Sequence, residues 1–133
     1  MIDVSILARR DTFARGLGIA LVEASLGRAV TRVTVEERHL NFNGVGHGGL
    51  TFTLADAAFG YACNSQGVVS GSIDAHMIYS AATRAGDVLT ATAVEISRSS
   101  KTSNYRIDVV RADGKLVAAM TGTALISGKP VEV

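Results

Sequence analysis

Beyond Gly48 the chain loses its polar positions. Leu50, Phe52, Leu54, Ala55, Ala57, Ala58, Phe59, Tyr61, Ala62 and Cys63 succeed one another and leave almost no polar face. A helix that is apolar all round is a buried helix, and sixteen or so residues at the helical rise span roughly 25 Å, the width of a small domain. The stretch therefore predicts a central helix, ended by Asn64-Ser65-Gln66-Gly67 and entered through a glycine-rich run, Gly44-Val45-Gly46-His47-Gly48-Gly49. One ionisable side chain, Asp56, sits in its middle. A carboxylate there is costly to bury unless something pairs with it or uses it.

Elsewhere the period is two. Ile19–Ala24 and Arg28–Val35 read as strands with a turn at Ser25-Leu26-Gly27-Arg28, and Thr31, Val33 and Val35 alternate with Arg32 and Thr34, one wet face and one buried. After the helix, Val69–Ser80, Asp87–Ser97, Ser103–Arg111 and Leu116–Ser127 read as four more strands. Ala112-Asp113-Gly114-Lys115 makes a tight hairpin turn, because Asp-Gly accepts the positive φ it needs. Ala85-Gly86-Asp87 marks another turn. Residues 3–15 predict one short helix, capped by Asp3 or Ser5 and stopped by Gly16, lying over one edge of the core. The fold class expected is α+β, an antiparallel sheet holding one long helix against a face.

Composition narrows the function classes. A length of 133 residues suits one domain spanning 1–133, with a sizeable core. The formal net charge of +1 points to neither nucleic acid nor an acidic membrane surface. There is no Trp, no interleaving of aromatic and basic residues and no zinc-ligand spacing. The single cysteine forms no internal disulfide. With no secretory pattern at the N-terminus and no apolar run long enough to span a bilayer, a cytoplasmic protein is expected.

Two features suggest chemistry. Backbone N–H groups at a helix start lack intrahelical partners and carry partial positive charge, which suits a phosphate or a developing oxyanion. Gly48 and Gly49 would let another molecule approach that backbone, although a glycine-rich loop is more often only a tight turn. Asp56 reads as a general base or nucleophile with its pKa set by apolar surroundings; the plainer reading is a carboxylate paired with backbone or an arginine. Eight residues separate Gly48 from Asp56, about 80° around the axis, so one group touches both only by lying along that side, or a second subunit closes the gap. Asn41 ends the approach loop; Ser72, Asp74 and His76 alternate on one face of the next strand, with Ile73, Ala75, Met77 and Tyr79 on the other. His39 is expected at the surface and Cys63 in the core. Arg98, Lys101 and Arg106 flank a Ser/Thr-rich stretch that is either a solvated loop or a modest phosphate-binding patch.

Asn41, then His47-Gly48-Gly49, then Thr53-Leu54-Ala55-Asp56 resembles the signature of hotdog-fold acyl-CoA thioesterases, and HGGLTFTLADAAFGYACNSQG is similar to their PaaI-type, phenylacetate-degradation branch. The resemblance implies a curved antiparallel sheet around the helix, and a homodimer joined sheet edge to sheet edge and paired again into a homotetramer. Active sites would be built from both subunits, so that Gly48 of one would face Asp56 of the other. It implies that the Gly48 N–H polarises the thioester carbonyl, that His47 and Asn41 shape its loop, and that Asp56 activates water or attacks directly. Ser72 would position water or the carboxylate, and Arg98 and Lys101 would meet the CoA phosphates. No metal and no cofactor is expected, CoA being part of the substrate. The expected activity is hydrolysis of aryl-acetyl or related acyl-CoA thioesters. The alternative is a non-catalytic acyl-CoA-binding module or sensor on the same fold, for which a carboxylate opposite an oxyanion donor has no use. A dehydratase would want a histidine in the helix, and the helix has none after position 47.

Overall fold

A computed structural model describes all residues, 1–133. Two short helices, α1 (Val4–Arg10) and α2 (Thr12–Gly16), stand where one is predicted. Asp11 makes the break: its carboxylate accepts the Ala14 N–H at 3.1 Å and so caps a second helix. Asp3 caps the first, accepting from Ser5 N–H at 3.1 Å. Strands β1 (Ala20–Ser25) and β2 (Arg28–Thr34) form a hairpin whose Gly27 takes φ +70°. A single 3-10 turn, Glu37–His39, precedes the central helix α3 (Gly48–Asn64). Strands β3 (Val68–Tyr79), β4 (Val88–Arg98), β5 (Thr102–Arg111) and β6 (Leu116–Pro130) complete the chain.

All pairings are antiparallel, in one six-stranded sheet of order β1-β2-β4-β5-β6-β3. Every strand touches α3, so the sheet wraps the helix and the α+β expectation holds. The wrapping works because the helix is small where strands come close and large where they leave room. Ala55, Ala58 and Ala62 are fully buried, while Phe59 reaches the sheet and meets Tyr105 at 5.3 Å between ring centroids. The room for Phe59 comes from Gly122 on β6, where a Cβ would lie 2.5 Å from the ring. Polar ties fix the helix at three heights. The buried Thr31 hydroxyl donates to the Leu54 carbonyl at 2.9 Å, Ser65 Oγ accepts Gly27 N–H at 2.9 Å, and Asn64 bonds the backbone of Ser70 at both N–H and C=O.

Two expectations about faces change. The helix is not sealed all round: Gly49, Phe52, Thr53, Asp56, Gly60 and Asn64 form a stripe left partly open because no strand crosses it. On β3 a bulge falls between Ser72, opposite Ala124, and Asp74, opposite Thr123. One extra residue flips the alternation, so Ser72 lies on the inner face with buried Ala124 while Asp74 and His76 lie with Thr123 and Thr121 on the outer one. Asp74 closes the bulge by accepting Thr123 N–H at 3.0 Å.

The Phe59–Gly122 fit yields a stability prediction. Gly122→Ala places a methyl inside the Phe59 ring envelope, and overpacking of this kind costs about 1–3 kcal/mol. Urea unfolding of the two proteins measures it; an unchanged midpoint would show that the ring has slack.

Candidate active site

The glycine loop is held from three sides. Asn41 Oδ1 accepts Asn43 N–H at 2.9 Å, and Asn41 N–H donates to the Val45 carbonyl at 2.8 Å, closing the loop on itself. Gly46 N–H donates to the Thr83 carbonyl at 2.8 Å, and a Cβ on Gly46 would fall 1.9 Å from Thr83 Oγ1. His47 N–H donates to the His39 carbonyl at 2.8 Å. The His47 side chain caps α3, its Nδ1 accepting Gly49 N–H at 2.8 Å. With that donor taken, the Gly48 N–H makes no capping, turn or side-chain hydrogen bond. Tyr79 of β3 lies against Gly48, its hydroxyl donating to the Gly48 carbonyl at 3.1 Å. Gly48, Thr51 and Tyr79 then line a cavity of about 350 Å³ together with residues 80–83.

His39 is buried, at 4% exposure, where the surface was expected. The 3-10 turn folds the imidazole back beneath the loop, and Nδ1 accepts Glu36 N–H at 3.0 Å. In the neutral ring this leaves the proton on Nε2, an atom buried with no hydrogen-bond partner. Hydropathy along the segment carries no sign of this, because its neighbours come from distant segments, Phe13 and Leu17 on one side and Leu50 and Thr53 on the other.

Asp56 stands on the open stripe of α3, exposed in the single chain. It borders a cavity of about 450 Å³ lined also by Leu7, Asp11, Tyr61, Asn64, Val69 and Ser70. Desolvation by the surrounding protein raises its pKa above the ordinary carboxylate value, and the Asp11 charge adds to the rise. Gly48 and Asp56 therefore face different cavities of one chain, as their angular offset requires, about 12 Å apart along the axis.

The other candidates scatter. Ser72 lines neither cavity. Arg98 is not a free cation: Nη1 lies 3.2 Å from Glu95 Oε2, which also accepts the Tyr105 hydroxyl at 2.8 Å. The Lys101 ammonium makes no ion pair or hydrogen bond, and neither does the guanidinium of Arg84, which follows Thr83 at the Gly48 cavity. Cys63 is buried at 2% exposure, as expected of a core residue. The sequence reading missed Asp11 and Thr83 altogether, placing Tyr61 only in the apolar run and Tyr79 only on a strand face; each gains its place from a contact between distant segments.

A wrapped helix with a free N–H at its first turn and a carboxylate two turns on defines a class. The chain belongs to the Thioesterase superfamily, whose profile matches residues 43–118, and has its hotdog fold. Within it the chain is of the PaaI type. It is 39% identical over 112 residues to the acyl-coenzyme A thioesterase PaaI of Escherichia coli, covering 84% of this chain and 80% of the relative. The structure of the E. coli PaaI protein from the phenylacetic acid degradation operon superposes with a TM-score of 0.93 at 35% identity, over 96% of this chain and 93% of that one. Human acyl-coenzyme A thioesterase 13 is 31% identical over 119 residues, 86% of this chain and 85% of its own. A thioesterase-like protein of Streptococcus pneumoniae solved with coenzyme A has a TM-score of 0.80 at 26% identity, over 85% of this chain and 91% of that one.

Cys63 can be checked directly. Burial pushes its thiol up to about 12. Since only the thiolate reacts, iodoacetamide labelling of the folded protein at pH 8 should run at least roughly a hundredfold slower than in denaturant. Equal rates would place the thiol in solvent.

Proposed function

We propose that this thioester hydrolase acts on acyl-CoA thioesters, with an aryl-acetyl or related acyl group, in a site shared between two copies of the chain. The observation that carries the reading is the pairing on one helix of an unpartnered Gly48 N–H and a carboxylate of raised pKa, each opening into its own cavity. In the reaction, water attacks the thioester carbonyl carbon and gives a proton to Asp56. The Gly48 N–H, at the positive end of α3, stabilises the oxyanion that forms. Collapse breaks the C–S bond, and the CoA sulfur takes the proton from Asp56. Asn41 and His47 act through the loop: one fixes its closure and the other caps α3, leaving the Gly48 N–H for substrate. Ser72, on the inner face of β3, orients water or the carboxylate. The raised pKa makes Asp56 a stronger base once ionised.

A second copy would complete the geometry. β3 is an edge strand with exposed Ile73, Ile78 and Tyr79 and neither Pro nor Lys to guard it. Antiparallel pairing of β3 with its twin would satisfy that edge and lay the open stripes of two α3 helices side by side, each Asp56 near the other's Gly48. Association of two such dimers gives the tetramer. Lys101 and Arg84, whose side chains make no ion pair or hydrogen bond, are the cations we assign to the CoA phosphates; Arg98 would first have to leave Glu95. One free, buried thiol is compatible with a cytoplasmic location.

Two experiments test this. Release of CoA from phenylacetyl, hydroxyphenylacetyl, benzoyl, short-chain and long-chain thioesters should be strong for the aryl-acetyl members and fall about 10²–10⁴-fold in Asp56→Asn. Tight acyl-CoA binding without turnover in either protein would replace the enzyme by a sensor. For the shared site, Gly48→Val and Asp56→Asn subunits, each inactive alone, are co-refolded. Random pairing restores about a quarter of wild-type activity, one intact site in half of the dimers. No recovery in verified mixed dimers would mean that each site lies within one chain.

A further inference from the structure

Asp11 is unused by the reaction above, yet it lies on the wall of the Asp56 cavity. Both of its oxygens are engaged. Oδ1 accepts Ala14 N–H at 3.1 Å as the cap of α2, and Oδ2 accepts the Tyr61 hydroxyl at 2.7 Å. Tyr61 is itself buried at 6% exposure, on α3, five residues beyond Asp56. The bond therefore joins the N-terminal helices to the central helix beside the reacting carboxylate.

We propose that Asp11 is a positioning residue of the Asp56 site, a second carboxylate locked between Tyr61 and the α2 backbone that closes the cavity and keeps negative charge next to the base. The inference rests on Asp56 as the base. The surroundings leave little else to do this. Arg10, on the same wall, has its guanidinium drawn to the Glu132 carbonyl at 2.7 Å. From the sheet, Glu95 and Arg98 reach only the Cys63 end of α3 and neutralise one another. β3 and the C-terminal segment present Val69, Ser70 and Val131, which carry no charge. Desolvation raises Asp56 most, and the Asp11 charge adds to the rise. Tyr61, its phenol raised by burial and by the bond to Asp11, stays a donor throughout the working range.

Asp11→Asn removes the charge but keeps a good helix cap and an amide that can donate to the Tyr61 oxygen. Tyr61→Phe keeps the charge and removes the tether. The Asp56 side-chain carboxyl is titrated by carbon NMR in wild type and both variants, a readout that needs no turnover, and the acid limb of kcat/KM is measured alongside. In Asp11→Asn the Asp56 midpoint should move to lower pH, the acid limb should follow, and kcat on the plateau should fall several-fold with KM within about twofold. Tyr61→Phe should keep the wild-type midpoint and lose thermal stability. An unmoved Asp56 resonance in folded Asp11→Asn would reduce Asp11 to a helix cap and overturn the inference. Equal shifts in both variants would overturn it too, since the position of the N-terminal helices and not the charge would then matter. A resonance that moves while the acid limb stays would instead remove Asp56 as the base, and with it the reading beneath.

Discussion

Everything in this structure depends on how a nearly featureless apolar helix is held without sliding or turning. Side-chain burial alone is non-directional, and α3 buries much the same chemistry over most of its circumference. The register comes from one large shape and a few polar ties. Phe59 fills the space that Gly122 leaves and meets Tyr105. Thr31, Ser65 and Asn64 bond the helix backbone and the turns beside it. A buried hydrogen bond contributes only about 1 kcal/mol net but is costly to leave unmade, so a helix rotated by one residue would strand several groups at once.

That constraint is also what makes the site. With α3 locked, Gly48 must present its N–H beside Tyr79 and Asp56 must face the strip the sheet does not cover. The sheet has six strands and closes on most of the helix, and the stripe through Asp56 is what it leaves uncovered. The open stripe lies near the start of the β3 edge strand, whose Val69 and Ser70 line the Asp56 cavity. A carboxylate placed there is held above its ordinary pKa by desolvation and then by the Asp11 charge, and such perturbed groups gather at functional sites, often at a cost in stability.

Several parts were legible in advance because they follow from local rules. The length and central place of α3, the α+β class, the Asp113-Gly114 hairpin and the core position of Cys63 can be read from period, turn chemistry and composition. The candidate residues of the glycine loop and Asp56 could be named from the sequence, but not their geometry. His39 was misplaced because a 3-10 turn, not hydropathy, carries it inward. Ser72, Asp74 and His76 were put on one face because a bulge leaves no mark on an alternating pattern. The pairing of Arg98 with Glu95, three residues away, gave no sign in the sequence, because it forms where Tyr105 brings a second strand against Glu95.

The amino-acid order by itself determined the elements and their chemistry: where the helix must lie, which glycines open its first turn, and that one carboxylate interrupts its apolar run. These depend on interactions within a few residues, and local backbone physics settles them. Only the tertiary structure decided which face of that helix stays open, that Gly48 and Asp56 look into separate cavities, and that Asp11 and Tyr61, fifty residues apart, stand beside the carboxylate. Those facts depend on which distant segments fill the space around each atom, and that is set by how the whole sheet closes on the helix.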